Sequence, residues 1–338
     1  MKVISSVQRS SGWTTITMMA RMAARLLEAE LVELPEPVSR PSLSHRLALR
    51  APRRRGDESC LVIAPDPKDL SALMSSGHLR SGYGQVVGLV IDSFWEDRIP
   101  MIAHRRSDFD RIFVTDADSV DPWTQITGTT VNWLPIGADI LDGGSASPDR
   151  DVDVRRFGRQ PSEWDDDKLS FDACASLGLR FKGRPEILAE AHVDQTNYLA
   201  ELARSKFVLA FNNLEAPASY THPTRDYLTP RWAESLGAGA VVAGRAPRCA
   251  TSREFLWPGA TLDLGTIERD PALPILREAV NAWNPSMAAY NNWMALQRFD
   301  WRWRISAIAE AMDISTPTLD AEMARLRAAI EDRRPAGS

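Results

Sequence analysis

Short apolar segments alternate with helical patterns along residues 1–140. The apolar segments lie at residues 2–7, 31–34, 59–64, 85–91, 111–115 and 131–134. Between the first two segments, apolar side chains recur at the spacing of one helix face, at Met18, Met19, Met22, Leu26 and Leu27. Short continuous apolar runs are typical of strands that are buried on both faces of a parallel sheet. The pattern therefore predicts an N-terminal Rossmann-like domain over residues 1–140.

A second series of the same kind begins at residue 151. Strand patterns cover residues 152–157, 207–211 and 240–242, and helical patterns cover residues 166–177, 197–204 and 230–237. Asp, Gly, Ser and Pro dominate residues 139–151, and this composition is typical of linkers. We therefore predict a second Rossmann-like domain over residues 151–310, so that the fold class is α/β with two parallel sheets. The amphipathic pattern over residues 311–338 predicts a helical tail that packs back on the N-terminal domain.

Length and charge narrow the class of protein. The chain has 338 residues, more than one usual domain of about 100 to 200 residues, which fits two domains. Its formal net charge of −5 argues against a nucleic-acid-binding protein, which needs a basic face to neutralise phosphates. The basic run over residues 46–55 is a local exception. It is either a solvated loop or a contact for anionic lipid headgroups or an anionic acceptor, so peripheral membrane association stays open.

Cysteine usage and hydropathy point to the cytoplasm. Cys60, Cys174 and Cys249 are far apart and lack the spacing of a metal site. Such sparse cysteines fit a reducing compartment. No stretch approaches the roughly 18 consecutive apolar residues of a membrane-spanning helix. We therefore predict a cytoplasmic protein that associates with membranes at most peripherally.

The segment that carries the most chemistry is RDYLTPRWAESLGAGAVVAG, over residues 225–244. Thr229 and Pro230 suit the start of a helix, because Thr caps helix N-termini and Pro fits the first turn. At the carboxyl edge of an α/β sheet, a helix start presents N–H groups and a positive dipole to anions. Arg231 then fits a pyrophosphate, and Glu234, one turn further on, fits ribose hydroxyls. The segment predicts a helix that binds a nucleotide.

This segment resembles the donor helix of glycosyltransferases with the GT-B fold, including group 1, fucosyltransferase-like and spore-coat CgeB-like members. Asp226 and Glu234 match the spacing of two acids in many sugar-retaining members, with Asp in place of the usual first Glu. Further phrases follow in the family's order, namely VNWLPIGAD at 131–139, VRRFGRQ at 154–160, LARSKFVLAF at 202–211 and RFDWRWRISAI at 298–308. The resemblance covers about residues 85–310, and it implies two Rossmann-like domains with a cleft between them.

The resemblance implies an enzyme of the hexosyltransferase class, active in glycan or polysaccharide biosynthesis. It would transfer a sugar from a nucleotide-diphosphate sugar to a glycan or small-molecule acceptor, with no metal or other cofactor. The donor-binding residues that it implies are Gly158, Arg159, Arg225, Tyr227, Thr229, Arg231 and Glu234. Arg159 and Arg231 would offset the charge of the leaving diphosphate. Gly158 and Arg159 equally fit a tight turn and a surface cation, and the choice between retaining and inverting chemistry stays open.

Inverting transfer needs a group that takes the proton of the acceptor hydroxyl. Asp92 directly follows the apolar run 85–91, so in a parallel sheet it emerges at the carboxyl edge. Glu96 and His104 are the other candidates in this region. Asp226 is the candidate in the donor segment, although an Asp in a loop near prolines also suits a plain turn.

Two other interpretations stay open. Asp116 and Asp118 follow a strand pattern as a DxD motif, which GT-A glycosyltransferases use to hold a divalent metal on the donor phosphates. That interpretation leaves the second α/β series unexplained. Alternatively, the chain is a catalytically silent module that binds a nucleotide sugar or carbohydrate. Substrate-dependent release of free nucleoside diphosphate distinguishes an enzyme from such a module.

Overall fold

The computed structural model of the chain describes residues 1–6, 13–34, 55–70, 82–100, 108–188 and 190–335. Contacts divide the chain into two compact units. The first unit comprises Met1–Ile136 and Arg302–Ala324, and the second comprises Gly137–Trp301 and Arg325–Ser338. The candidate base His104 and most of the basic run 46–55 lie outside the described residues.

Strands and helices alternate along most of the chain. The strands are β1 (Lys2–Ser6), β2 (Glu30–Leu34), β3 (Glu58–Ala64), β4 (Tyr83–Val90), β5 (Arg111–Val114), β6 (Thr130–Trp133), β7 (Val152–Arg156), β8 (Phe181–Lys182), β9 (Ser205–Phe211), β10 (Val241–Arg245) and β11 (Thr261–Asp263). The helices are α1 (Thr14–Leu26), α2 (Val120–Thr127), α3 (Ile140–Gly143), α4 (Asp167–Ser176), α5 (Ala191–Ala203), α6 (Pro230–Gly237), α7 (Ala250–Phe255), α8 (Arg269–Ala282), α9 (Pro285–Arg298), α10 (Trp301–Ala311) and α11 (Pro317–Asp332).

The first unit contains a six-stranded sheet in the order β2-β1-β3-β4-β5-β6. All neighbouring strands in it are parallel. Apolar side chains of its central strands, among them Ile4, Val62 and Val90, pack with Trp123 of α2 in one core. From β1 the chain adds β2 on one side and then places β3 on the other. The strand order therefore reverses between β1 and β3.

The second unit contains a five-stranded sheet in the order β11-β10-β9-β7-β8, and its neighbouring strands are also parallel. Its core includes Val154 of β7 and Leu209 of β9, which pack with Trp164 and Phe181. The chain adds β8 on one side of β7 and then β9 on the other side. The strand order therefore reverses between β7 and β9.

Two parallel sheets with helical connections confirm the predicted α/β class. The physical reason is that strands buried on both faces need apolar side chains at nearly every position, which the short apolar runs supply. In the part of the chain that is described, no helix is both long enough and apolar enough to span a bilayer.

The stretch 139–151, which has the composition of a linker, is packed into the second unit. Arg150 is buried, and its guanidinium donates hydrogen bonds to the carbonyl oxygens of Ser205 and Ala238, each at 2.6 Å. These bonds tie the stretch to the start of β9 and to the end of α6. The division between the units accordingly falls after Ile136, ahead of the Gly- and Ser-rich residues.

The predicted tail over residues 311–338 is assigned partly to each unit. Within the first unit, the Thr316 hydroxyl donates a hydrogen bond to the carbonyl oxygen of Leu26. Within the second unit, the Trp293 indole N–H donates to the carbonyl oxygen of Ile330 at 3.0 Å. The first part of the tail thus belongs to the first unit and the last part to the second. The periodic pattern in the sequence does not show which unit each position contacts.

Candidate functional site

The strand-order reversal of the second sheet brings together two loops that carry most of the predicted donor residues. One loop, residues 157–161, follows β7, and the other, residues 212–229, follows β9 and leads into α6. Because neighbouring parallel strands end at the same edge of a sheet, both loops and the start of α6 lie at that edge. Open α/β sheets bind ligands at such a reversal. This edge of the second unit is therefore the candidate site.

Gly158 and Arg231 are in direct contact at this edge. Gly158 has a φ of +62°, in the left-handed region that favours glycine. A β-carbon built on Gly158 overlaps the Arg231 guanidinium, and even the more distant Nε would lie only 3.0 Å from it. Glycine at this position therefore both permits the turn and makes room for the arginine. The two residues, which the sequence indicates separately, form one contact.

Arg231 is a partly buried cation that has no ion-pair partner among the described residues. Burial lowers its pKa most; Tyr198 and Glu234 raise the pKa, and the nearby Arg159 lowers it. Arginine nevertheless stays charged in proteins, because its intrinsic pKa is so high. A guanidinium presents a planar set of N–H donors that matches a phosphate or carboxylate. Arg231 is therefore placed to bind an anion.

Glu234 lies one turn after Arg231, and its side chain is held inside the unit. Only 6% of the residue is exposed, and its Oε1 accepts a hydrogen bond from Gln195 Nε2 at 2.9 Å. The Tyr198 hydroxyl also bonds to this carboxylate, and burial together with the Glu234 charge raises the pKa of Tyr198 well above its ordinary value. The Tyr198 ring packs edge-on against Phe157, with ring centres 4.7 Å apart. Glu234 thereby links α6 and α5 to the residue before Gly158.

Arg159 is bound within its own unit, in contrast to Arg231. Its Nη1 donates to the carbonyl oxygen of Ala216 at 2.7 Å. The centre of its guanidinium lies 5.1 Å from the centre of the Tyr220 ring, which is within the range of a cation–π contact. Both contacts are to the loop 212–229. Arg159 therefore braces that loop and adds positive charge beside Arg231.

The start of α6 faces the same edge. Thr229 occupies the N-cap position with extended backbone angles, and Pro230 follows at the first helical position. The Thr229 hydroxyl makes no capping hydrogen bond. The first backbone N–H groups of α6 thus receive no hydrogen bond from that side chain. Together with the positive end of the helix dipole, these N–H groups favour an anion nearby.

Arg225, Asp226 and Tyr227 shape the loop before α6. The Asp226 carboxylate accepts hydrogen bonds from the backbone N–H of Tyr227 at 3.1 Å and of Arg248 at 2.7 Å. Burial raises the pKa of Asp226, and these two backbone bonds oppose the rise. The carbonyl oxygen of Arg225 accepts a hydrogen bond from Asn213 Nδ2 at 2.5 Å. Tyr227 is buried. These residues hold the backbone of the loop in place.

Asp92 lies at the carboxyl edge of the first sheet, directly after β4. Burial raises the pKa of Asp92 to about 7, and the charge of Asp66 adds to the rise, whereas Arg98 opposes it. Arg98 Nη1 is 2.7 Å from Asp66 Oδ2, so the cation that opposes the rise at Asp92 is itself paired with Asp66. A pKa near 7 is the property that suits a general base or acid at neutral pH.

The other candidates in the first unit have separate surroundings. Glu96 Oε1 accepts a hydrogen bond from the Ser119 hydroxyl at 3.3 Å. Asp116 is buried and its backbone N–H donates to Ser93 Oγ at 3.2 Å, whereas Asp118 is exposed. Across the described ranges, no cluster of three or more His, Cys, Asp or Glu side chains is arranged to hold a metal ion.

Three residues at the candidate site were missed by the sequence reasoning. Gln195 and Tyr198 lie three positions apart on α5, so they share a helix face, but nothing in their order shows that this face meets Glu234. Tyr220 lies in the middle of the loop 212–229 without any periodic pattern around it. A polar pair on one face of the helix before β9 was the available signal for the first two.

Comparisons with known proteins found no family and no sequence relative, but they found similar solved structures. No model of a known protein family matches the chain, and no curated protein matches it in sequence. Solved structures similar to it include one described as the lipopolysaccharide outer core galactosyltransferase WaaB in its apo form. That match has 10% sequence identity and a TM-score of 0.48, and it covers 92% of this chain and 99% of the other. No site residue is carried over from that protein.

Proposed function

We propose that the chain is a glycosyltransferase whose second unit binds the diphosphate of a nucleotide sugar through Arg231. The observation that carries this proposal is the position of Arg231 against Gly158, at a strand-order reversal, as a cation with no ion-pair partner in the described part of the chain. A buried arginine with a structural role is normally paired. Arg156 of β7 is an example, because its guanidinium binds both Asp165 and Asp167.

The proposed reaction transfers a sugar to an acceptor hydroxyl. The acceptor oxygen forms a bond to the anomeric carbon of the sugar, and the bond between that carbon and the diphosphate oxygen breaks. The nucleoside diphosphate leaves with the electron pair, so negative charge develops on its phosphate oxygens. Arg231 stabilises this charge, because a fixed cation in a partly dry site interacts strongly with developing charge. The positive charge at the diphosphate comes from arginine in this proposal, without a metal ion.

We assign the removal of the acceptor proton to Asp92. A carboxylate with a pKa of about 7 is a stronger base than an ordinary aspartate, and a substantial fraction of it is still ionised at neutral pH. Burial and the neighbouring Asp66 produce this property together. The ionised form is the one that can accept a proton.

The test is a panel of nucleotide sugars, with UDP-, GDP- and dTDP-linked hexoses each mixed with the purified chain. We expect one base class to raise the melting temperature, because a ligand that binds only the folded state stabilises it. We further expect release of nucleoside diphosphate when a mixture of soluble and lipid-linked glycan acceptors is added. Both effects should be lost in Arg231→Ala and kept in Arg204→Ala, which changes an exposed arginine bound to Asp151.

The other outcomes separate the alternatives. Stabilisation without any release of diphosphate contradicts the transferase and favours a binding module. Release that stops in EDTA and returns with Mn²⁺ contradicts the metal-independent proposal and favours a metal site at Asp116 and Asp118. If no nucleotide sugar changes the melting temperature, the proposal as a whole is wrong.

A further inference from the structure

The loop 212–229 is held in one shape by its own side chains. Asn212 Oδ1 accepts hydrogen bonds from the backbone N–H groups of Leu214 and Glu215, both at 3.0 Å. Asn213 Nδ2 donates to two backbone carbonyls further along the loop, those of His222 and Arg225. These bonds brace the backbone of the loop from within it.

Tyr220 is the residue that this braced loop exposes. The residue is 64% exposed, although a tyrosine ring gains stability when it is buried. Thr221, its neighbour, is tied down: the Thr221 hydroxyl donates to the Ala218 carbonyl at 2.9 Å and accepts from the Ala218 N–H at 3.0 Å. The backbone next to the exposed Tyr220 ring is therefore held by hydrogen bonds.

The Arg159 guanidinium lies against the Tyr220 ring, with 5.1 Å between their centres. The bond from Arg159 to the Ala216 carbonyl fixes that guanidinium in turn. Gly158, the neighbour of Arg159, contacts the Arg231 guanidinium. The Tyr220 ring therefore lies on the same part of the site as the proposed phosphate ligand. An ordered, exposed aromatic ring beside a phosphate-binding cation has the chemistry of a stacking platform.

We propose that Tyr220 stacks the nucleobase of the donor, on the ring surface that Arg159 leaves exposed. This inference rests on the proposed function, because it takes Arg231 to hold the diphosphate of the same ligand. A nucleobase is the part of a nucleotide sugar that is planar and aromatic, so it matches the tyrosine ring over its whole face. Because every base has such a face, the stack supplies affinity for nucleotides, and other contacts would select the base.

The experiment measures binding of UDP, GDP, ADP, their hexose-linked nucleotide sugars and inorganic pyrophosphate to the wild-type chain and to Tyr220→Ala, Tyr220→Phe and Leu214→Ala. Calorimetry measures the affinity for each nucleotide. The affinity for pyrophosphate is measured by its displacement of bound nucleotide. We expect Tyr220→Ala to weaken the preferred nucleoside diphosphate by about tenfold to a hundredfold, the scale of one base–aromatic stack. Pyrophosphate affinity should stay unchanged, and Tyr220→Phe should bind as the wild type does. Leu214→Ala is the matched control, since Leu214 is also exposed on this loop.

Three results would overturn the stacking inference. An equal loss for the nucleoside diphosphate and pyrophosphate would show that Tyr220 acts on the phosphate site. A loss of affinity for the nucleotide sugar alone would show that the Tyr220 ring contacts the sugar and not the base. No loss at all, while Arg231→Ala still weakens nucleotide binding, would remove Tyr220 from the site and leave the proposed function intact. If the wild-type chain binds none of these nucleotides or their sugars, the proposed function fails first.

Discussion

Three arginines near the reversal point of the second sheet differ in their partners, and the partners define their roles. Arg156 is buried and forms ion pairs with Asp165 and Asp167, so its charge is already paired within the unit. Arg159 is bonded to the Ala216 carbonyl and supports Tyr220, so it shapes the loop. Arg231 has no ion-pair partner among the described residues, which leaves its charge for a ligand. Residue type alone would treat these three cations as equivalent.

Replacement of Gly158 by alanine tests the contact with Arg231. Gly158→Ala should reduce nucleoside diphosphate affinity at least tenfold, because the new methyl group displaces the guanidinium. Gly178→Ala is the matched control: Gly178 also has a positive φ, of +74°, but nothing lies within 4 Å of the added β-carbon. Both variants should lose about 1 to 2 kcal/mol of stability from left-handed strain. Calorimetric titration and urea unfolding provide the two readouts. Equal affinities in the two variants would contradict the proposed contact.

The raised pKa of Asp92 predicts a pH dependence of stability. Its ordinary pKa is 3.8 and its folded-state pKa is about 7, so between these pH values the folded chain holds a proton that the unfolded chain has lost. Its contribution to stability is therefore fully present below pH 4 and declines as the pH rises through 7. Asp92→Asn should remove this decline, so its free energy of unfolding should fall less between pH 5 and pH 8. If the free energy of unfolding depends on pH in the same way in the wild type and the variant, the raised pKa of Asp92 is refuted. Asp97→Asn, which changes an exposed aspartate nearby, is the control.

The sequence indicated Gly158, Arg231 and Glu234 one at a time, because each has a local signal: a turn glycine or a position in a helix start. It could not indicate that Glu234 is bound by Gln195 and Tyr198. Those contacts depend on how α5 packs beside α6, and side-chain pairing between helices has no local pattern. The Glu234 carboxylate was expected to meet ribose hydroxyls, and this expectation stays a prediction.

At the scale of elements, the longer strands and helices follow the hydrophobic pattern closely. α6 runs from Pro230 to Gly237 as predicted, because Thr229, Pro230 and the apolar face all give the same signal. Elements without a prediction include β8 and β11, with two and three residues, and helices α2, α3, α7 and α8. Strands so short cannot show a period. Pro274 lies inside α8, where proline normally argues against a helix.

Asp153 ties three strands of the second sheet together and predicts sensitivity to acid. Its carboxylate binds Arg180 beside β8 at 3.0 Å and Lys206 of β9 at 2.7 Å. Burial raises the pKa of Asp153, but the bonds from Arg180 and Lys206 outweigh burial and bring the pKa to about 2. Its contribution to stability is therefore present above pH 4 and lost as the pH falls towards 2.

Asp153→Asn should therefore lower the free energy of unfolding by about 2 kcal/mol at pH 7, and the difference should shrink towards zero near pH 2. Urea unfolding at several pH values measures this difference. Lys168→Ala, which breaks the exposed pair with Asp172 on α4, is the control and should change little. A difference for Asp153→Asn that is constant over the whole pH range would show that the ion pairs do not cause the loss.

At the scale of the whole molecule, the two units share an architecture but differ in how the charges at their strand ends are paired. At the carboxyl edge of the first sheet, Asp66 is paired with Arg98. At that of the second sheet, Arg231 has no ion-pair partner among the described residues. An anionic nucleotide is therefore expected at the second unit. The sequence predicted the two sheets because each repeats the same alternation. The pairing of these charges was visible only after the residues could be placed at strand ends.

The most direct test of the central claim is the affinity of the purified chain for a nucleoside diphosphate, compared between wild type and Arg231→Ala by calorimetry. The account predicts saturable binding of at least one of UDP, GDP, ADP and dTDP by the wild type, and a loss of about tenfold to a hundredfold in the variant. That scale corresponds to the roughly 1.5 to 3 kcal/mol of a hydrogen bond to a charged group. Equal affinity in the two proteins, with both folded, would contradict the account.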